Sequence, residues 1–584
     1  MIQTWVEKRF SDIYPQKWVQ LLLLLGFCLI LFFFNLGRWD LWNPDEPRYA
    51  QVAREMVQRG DWILMHFNGK TYADKPPLFF WLIGLSSYLC GGFTSFSVRF
   101  PSALFGTLTV ILSFIFGRCL YSSRTGFLSG MVLATSLEFA YLSTRANIDT
   151  TLTFFTTASL LCFLQWHRYT PPHLGSESKR PSPRGRVLST LPTGERGGVR
   201  VNCFGQRKIR NLFIYGFYIS MALATLTKGP VGFVLPLLVS LIYLIIQKDW
   251  KGLKEMKLLS GMLLFVVIVL SWYLPAVLKG GKAYLNETLF HQTIDRYSRG
   301  WSHVRPIYYY LYNFPVEFLP WFLFLPAAMV YGYSKEVFEK RKEFLFLLIW
   351  FAVIFLFFSL SKGKRGLYIL PLYPAASLMV GKLWDDLLSS PMEHFRCEWI
   401  FFPLYLFMGL ALLAGAAIPW VVSMMFPSYL PYSLPIAFLM VGGSLAMFVL
   451  HRFKNHSGIF LLIIAMMAGG FFYTLRVVFP LVNPYKSARF ICKEITLRIQ
   501  PGERLCLYGG VGTGPYNFYT GIVPILELKA KEDLFDYLRS PERVFCLLRF
   551  KNFSSFQSME GRPVVQLISR RKVGDNDIVL ISNR

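Results

Sequence analysis

Apolar stretches of about twenty residues recur along this chain, and nothing else in it limits the possible folds so strongly. About 20 mostly apolar residues carry an α-helix across the hydrocarbon core of a bilayer. In that medium only helices and closed barrels satisfy every backbone N–H and C=O. The runs fall near 18–37, 97–120, 124–143, 148–168, 209–228, 229–247, 258–278, 316–334, 343–361, 367–385, 399–423, 432–451 and 458–480. Thirteen such runs predict a polytopic α-helical membrane protein. Composition agrees: 54% of residues are hydrophobic and 16% charged, whereas soluble domains carry about a quarter charged residues. A multidomain soluble protein, a disordered chain and a coiled coil are thereby excluded.

The formal net charge is +27, from 61 Lys and Arg against 34 Asp and Glu. In a soluble chain that excess would suggest nucleic acid. Here the basic residues sit between apolar runs, as they do in the cytoplasmic loops of membrane proteins. With the N-terminus inside, the cytoplasmic loops are 169–208, 248–257, 335–342, 386–398 and 452–457, carrying Lys248, Lys251, Lys254, Lys257, Lys340 and Arg341 among others. An odd number of spans then puts the C-terminal tail outside. The stretch 77–90 is too short to span and reads as an interfacial helix. Residues 175–200, rich in Pro, Gly, Ser and Arg, read as a disordered cytoplasmic insert within 170–208. The nine cysteines form no C-x-x-C pair, so neither a zinc site nor a disulfide framework is implied. The first apolar run is too long for a cleavable signal peptide, and its exit, Asn35 to Trp39, lacks small residues for cleavage.

Near residue 484 the pattern changes. A helical stretch, Lys486–Ile499, precedes short β-rich runs at 504–508, 522–526, 543–549, 564–569 and 577–582, with helices expected at 531–539 and 551–558. The predicted organisation is a membrane domain over 1–480 and a small external α/β domain over 481–584. The run Gly509 to Gly514 lacks the Lys-Ser/Thr of a phosphate loop and reads as a turn after a strand.

In so apolar a chain the informative residues are charges kept at the external boundary. External loop one, 38–96, holds Asp45-Glu46 between Pro44 and Pro47, then Tyr72-Ala73-Asp74-Lys75-Pro76-Pro77. One acidic residue of the first pair is explained as a cap on a short helix starting at 47. Asp149 and Lys228 close the external ends of two spans; ionisable residues that project into a bundle tend to be functional, though each alone can snorkel to water. External loop 279–315 holds His291 and Arg296, five residues apart. The segment 361–366 places Lys362, Lys364 and Arg365 just before Tyr368 on a face that ought to be poor in positive charge. Converging Lys and Arg suit phosphate. An external site with acidic residues in loop one and basic residues from several loops suits a phosphate-linked lipid and sugar transfer.

The segments LWNPDEPRYAQVAREM, GDWILMHFNGKTYADKPPLFFW and RFPSALFG resemble the bacterial aminoarabinose transferases that modify lipid A. More widely they resemble the GT-C membrane glycosyltransferases related to protein O-mannosyltransferases. The resemblance covers nearly the whole chain. It implies a GT-C fold of about 13 membrane helices with an external C-terminal α/β domain. It also implies an essential loop-one acid, placed at Asp45 with Glu46 beside it; Asp149 joins them as a catalytic candidate. The family's Tyr-x-Glu-Lys-Pro motif becomes Tyr72 to Pro76 here, with Asp74 in place of Glu. Lipid-phosphate contacts are implied for Tyr72, Lys75, Arg296, Lys364, Arg365 and Tyr368. A divalent metal is implied at Asp74 and His291, and no nucleotide cofactor is expected.

The activity so implied is inverting transfer of a sugar, 4-amino-4-deoxy-L-arabinose if the resemblance to the aminoarabinose transferases extends that far, from undecaprenyl phosphate. The acceptor is lipid A or another envelope glycan or protein, and the setting is a bacterial inner membrane with the site facing the periplasm. A protein O-mannosyltransferase-type enzyme is the variant reading. The competing class is a lipid-linked sugar flippase, which commonly shows repeated halves and charge at mid-membrane; no repeat is visible here.

Overall fold

Each of the thirteen apolar runs coincides with a helical element in a computed structural model, which describes residues 17–169, 196–288, 304–333, 341–389 and 398–584. Among the described residues, eight helices are long and apolar enough to cross a membrane, or up to 10 if two bent pairs each count as a span. Of the other three, Lys17–Phe33 and Val231–Ile246 are shorter apolar helices. Ile148–Arg168 is the more polar one, burying Asp149 and five threonines. The expected 170–208 insert is partly helical: residues 170–195 lie outside the described set, but Arg196–Lys228 is one helix.

Helix Ser95–Leu120 lies at the centre of the bundle, packed on Ser123–Ala134 and Ile148–Arg168. Gly117 faces Gly126 so closely that a Cβ on it would come 2.6 Å from the Gly126 Cα. Backbone contact through small residues is how helices associate where lipid removes the hydrophobic driving force. By contrast, Leu258–Asn286 turns Leu259, Leu263, Val267 and Leu278 outward, as a helix facing acyl chains does.

Two spans are broken. Ser123–Ala134 meets Leu137–Ser143 at 73°, and Tyr309–Glu317 meets Trp321–Tyr331 at 113°. A break frees backbone groups that cannot stay unpaired in hydrocarbon. These two breaks satisfy each other: the Leu137 N–H donates to the Leu319 carbonyl at 3.1 Å, and Trp321 Nε1 donates to Thr135 Oγ1 at 3.0 Å. The bends carry Glu138, Tyr141 and Tyr309 to one end of the bundle, where loop one and residues 361–366 also lie. Ion pairs Arg168–Glu343 and Arg124–Asp385 occupy the other end, with the Lys248–Lys257 turn.

The C-terminal unit is a five-stranded mixed sheet. Its strands are β1 (Arg504–Tyr508), β2 (Leu526–Leu528), β3 (Val544–Arg549), β4 (Gln566–Val573) and β5 (Asn576–Ser582), in the spatial order β2-β1-β3-β5-β4. β1 runs parallel to β2 and β3, while β5 is antiparallel to β3 and β4. Helices cover both faces of the central strand, so β3 is buried at five successive positions, Val544 to Leu548. The expected helix over 486–499 is divided at Ser487, which is extended, into Phe479–Lys486 and Arg489–Thr496. The second expected strand is shorter and later than its apolar run, because Pro524 has no N–H for the ladder. Helix Gly514–Thr520, which sequence patterning missed, follows the glycine run directly.

Candidate active site

Loop one builds the site around helix Asp45–Arg59, which starts two residues earlier than expected and ends on Gly60 at φ +66°. Asp45 and Glu46 both lie in its first turn, where carboxylates suit the helix dipole. Their side chains diverge, and so do their roles.

Asp45 faces the cavity. One of its oxygens accepts from Arg48 at 2.7 Å and the other from Arg365 at 2.8 Å. Burial alone would raise its pKa, but Arg365, Arg48 and Lys75 outweigh burial and hold the carboxyl below its usual range. It is therefore an ionised carboxylate at neutral pH, flanked by three cations. Arg48 was not singled out by sequence reasoning; its i,i+3 spacing from Asp45 was the available signal.

Glu46 departs from the catalytic role expected of it, because its carboxylate is fully engaged. Arg99 donates to it through Nε at 2.7 Å and Nη2 at 3.0 Å, Arg145 approaches at 2.8 Å, and the Trp42 and Ala146 N–H groups each donate at 2.9 Å. Burial would raise its pKa, yet Arg145 and Arg99 bring it down to about 2. Arg99, fully buried, also donates to the carbonyls of Leu36, Trp39 and Asp40. Glu46 and Arg99 thus join the exit of the first span, loop one and the Arg145–Ala146 turn. This is a structural tie.

Asp149 is ion-paired with Lys228, whose ammonium lies 4.2 Å from the centroid of the Tyr368 ring. Asn147 caps the helix, accepting from the Asp149 N–H at 2.7 Å. Asp149 accordingly positions Lys228 instead of standing free. Tyr72 is buried, with its ring edge-on to Phe67 and Phe80. Lys75 donates to the Asp74 carbonyl at 3.1 Å and is near enough to act on the Asp45 charge.

The 361–366 segment divides its cations. Lys364 is buried and donates to the carbonyls of Arg305 (3.0 Å) and Ser361. With the Val304–Gly363 bridge and the bond from Tyr310 Oη to the Arg365 carbonyl, it straps this loop to residues 304–310. Its expected phosphate contact is thus replaced by carbonyl contacts, and Arg365 is the residue that reaches Asp45. Arg296 and His291 lie outside the described residues. Asp74, the other expected metal ligand, sits 3.9 Å from Arg48. Among the described residues no three His, Cys, Asp or Glu side chains converge on one point.

A cavity of about 440 Å³ opens beside Asp45, lined also by Trp42, Glu138, Tyr141, Arg145 and Tyr309. This volume is in the class of small-ligand sites. The C-terminal domain braces the outer side of loop one. Asn68 exchanges two hydrogen bonds with Ile525, and Asn517 donates to Asn68. Arg54 stacks on Phe518 and donates to its carbonyl. Asn483 and Arg489 both bind Asp40. A Cβ on Gly514 would come 3.1 Å from Arg48 Cα, so the end of the glycine run permits close approach to helix Asp45–Arg59.

A model of the dolichyl-phosphate-mannose-protein mannosyltransferase family matches residues 17–179. An undecaprenyl phosphate-alpha-4-amino-4-deoxy-L-arabinose arabinosyl transferase of Pseudomonas aeruginosa is 31% identical over 428 residues, covering 72% of this chain and 69% of that one. Its counterpart in Proteus mirabilis is 29% identical over 417 residues, covering 70% and 67%. The crystal structure of ArnT from Cupriavidus metallidurans bound to undecaprenyl phosphate superposes with a TM-score of 0.76 at 20% identity, over 96% of this chain and 98% of that one. An Archaeoglobus fulgidus oligosaccharyltransferase gives 0.51 at 12% identity, over 89% and 65%. The fold is thus that of the GT-C membrane enzymes. By its likeness to the Pseudomonas protein along more than two thirds of both chains, this chain belongs to the undecaprenyl phosphate-aminoarabinose arabinosyl transferase family of membrane glycosyltransferases.

Proposed function

We propose that the protein transfers 4-amino-4-deoxy-L-arabinose from undecaprenyl phosphate to a phosphate of lipid A, or to another envelope acceptor. The donor is inferred from the names of the relatives and from the lipid bound in the structural neighbour. The proposed setting is the inner membrane, with the site on the periplasmic face. The observation that carries the reading is the ionised Asp45 carboxylate held among Arg365, Arg48 and Lys75 on a cavity wall.

In the proposed reaction the C1–O bond to the lipid phosphate breaks as the acceptor oxygen bonds to C1. Positive charge grows on the sugar ring and negative charge on the leaving phosphate, as in glycoside hydrolysis. Lys75, Arg365 and Lys228 supply fixed positive charge for that phosphate. Asp45 orients the acceptor and stabilises the ring; for a hydroxyl acceptor it also takes the proton. An acceptor phosphate is already ionised and needs only positioning. Arg296 is retained as a proposed donor contact. A divalent ion at Asp74 and His291 is a separate proposal, to be withdrawn if purified active protein holds no stoichiometric metal.

The test is product formation, followed by mass spectrometry, from lipid-linked donor and lipid A with purified protein in detergent. Asp45→Asn is expected to abolish transfer while melting close to wild type. Wild-type turnover in that variant would overturn the assignment.

A further inference from the structure

Among the described residues, the cavity beside Asp45 contains one acidic group without an ion pair. Of its acidic lining residues, Asp45 is paired with Arg48 and Arg365, and Glu46 with Arg99 and Arg145. Glu138 also lines it, yet among the described residues it has neither an ion pair nor a hydrogen bond to its carboxylate. Of the cations lining the cavity, Arg145 is engaged by Glu46, Arg365 by Asp45, Lys364 by two carbonyls and Lys486 by Asp575, while Arg305 lies 6.0 Å from the centroid of the Tyr309 ring and forms no ion pair with Glu138. Glu138 sits in the first turn beyond the 73° break, so the bend itself brings it to the cavity. Behind it lies a second carboxyl. Glu317, at the break of the other bent pair, is an electrostatic neighbour of Glu138, and its Oε2 is buried without a hydrogen-bond partner among the described residues. Both carboxyls bear on Tyr309, which lines the same cavity.

Two interacting carboxyls that have no ion pair among the described residues take up a proton unless a cation is brought to them, so a bound cation is what would hold them ionised. In a wall otherwise rich in arginine, that need for a cation is confined to one spot. A donor sugar with a free amino group meets it, since an aliphatic amine is protonated at neutral pH and an ammonium–carboxylate hydrogen bond is the charge-assisted kind. We propose that Glu138, backed by Glu317, is the specificity-determining group of the site, receiving the ammonium of an amino sugar while C1 faces Asp45. This rests on the donor reading above and adds to it the residue that distinguishes an amino pentose from a neutral one.

The experiment compares two donors on the purified full chain in detergent. One is undecaprenyl phosphate carrying 4-amino-4-deoxy-L-arabinose; the other carries L-arabinose, with a hydroxyl in place of the amine. The readout is the ratio of kcat/KM for amino over hydroxyl donor. Wild type is expected to favour the amino donor. Glu138→Gln is expected to lower the ratio by roughly tenfold to hundredfold, the weight of one charge-assisted hydrogen bond. Glu138→Asp, which keeps the charge, is expected to retain most of the preference, and Glu317→Gln to lose part of it. An unchanged ratio in Glu138→Gln, or equal losses on both donors, would overturn the inference and leave Glu138 a structural residue. If wild type uses both donors equally well, the inference also falls, while the transferase reading stands. If wild type transfers neither sugar, the transferase reading fails and takes the inference with it.

Discussion

Replacing Glu46 with Gln keeps the shape of the side chain and removes the charge that holds Arg99 and Arg145. The Glu46 side chain is 2% exposed and that of Arg99 0%, so solvent screens little of the interaction. Its carboxyl, at about 2 against an ordinary 4.5, stands about 2.5 pH units low. At 1.36 kcal/mol per unit, the ionised form contributes about 3 kcal/mol to the folded state. Removing one partner of a buried ion pair costs about 3–5 kcal/mol by a separate route, and the two figures meet. Because the folded pKa is depressed, this stability is fully present above about pH 4.5 and is lost as pH falls from there towards 2. Thermal unfolding of wild type and variant in detergent, followed by tryptophan fluorescence, measures it. The expected result at pH 7 is a Glu46→Gln melting temperature lower by on the order of 5 °C, with transfer per folded molecule reduced less than in Asp45→Asn. A variant that melts with wild type but makes no product would place Glu46 among the reacting groups and refute the argument.

Lys75→Ala is expected to raise the apparent KM for the lipid donor by roughly tenfold to hundredfold, since it removes a charge-assisted contact; unchanged donor dependence would remove Lys75 from the phosphate site. Lys364→Met leaves two carbonyls without their shared donor, at about 1–3 kcal/mol each if they stay dry, so it is expected to lower the melting temperature more than it raises donor KM. Asn517→Ala deprives Asn68 of one donor and is expected to speed protease cleavage of the C-terminal domain from the bundle, read as fragment appearance on a gel.

The helical bundle was legible because a bilayer imposes one length and one composition on whatever crosses it. The breaks were not, since nothing local at Thr135 or Leu319 announces that each will meet the other. In the C-terminal sheet, strand β1 matches its apolar run, whereas helix Gly514–Thr520 was hidden in glycine and proline that ordinarily signal a turn. At the site, Asp45 stood out as a charge between prolines. Its partner Arg365 is 320 residues away, and the Glu46 partner Arg99 is 53 away, distances over which a single sequence carries no pairing information. Lys364 and Arg365 were equivalent as neighbouring cations; only the strap formed with Arg305 and Tyr310 separates the buried tether from the residue that meets Asp45.

The contacts between loop one and the C-terminal domain also set a timetable for biogenesis. Asp40 and Leu41 are made early, but Asn483 and Tyr519, which hold them, follow 443 and 478 residues later. At about 5–20 residues per second of synthesis, that lag is roughly half a minute to a minute and a half. During it loop one exists without the domain that braces it. Bracing of loop one therefore waits until Asn483 and Tyr519 have been made, and a ribosome halted before residue 483 leaves a helical bundle whose loop one is unbraced.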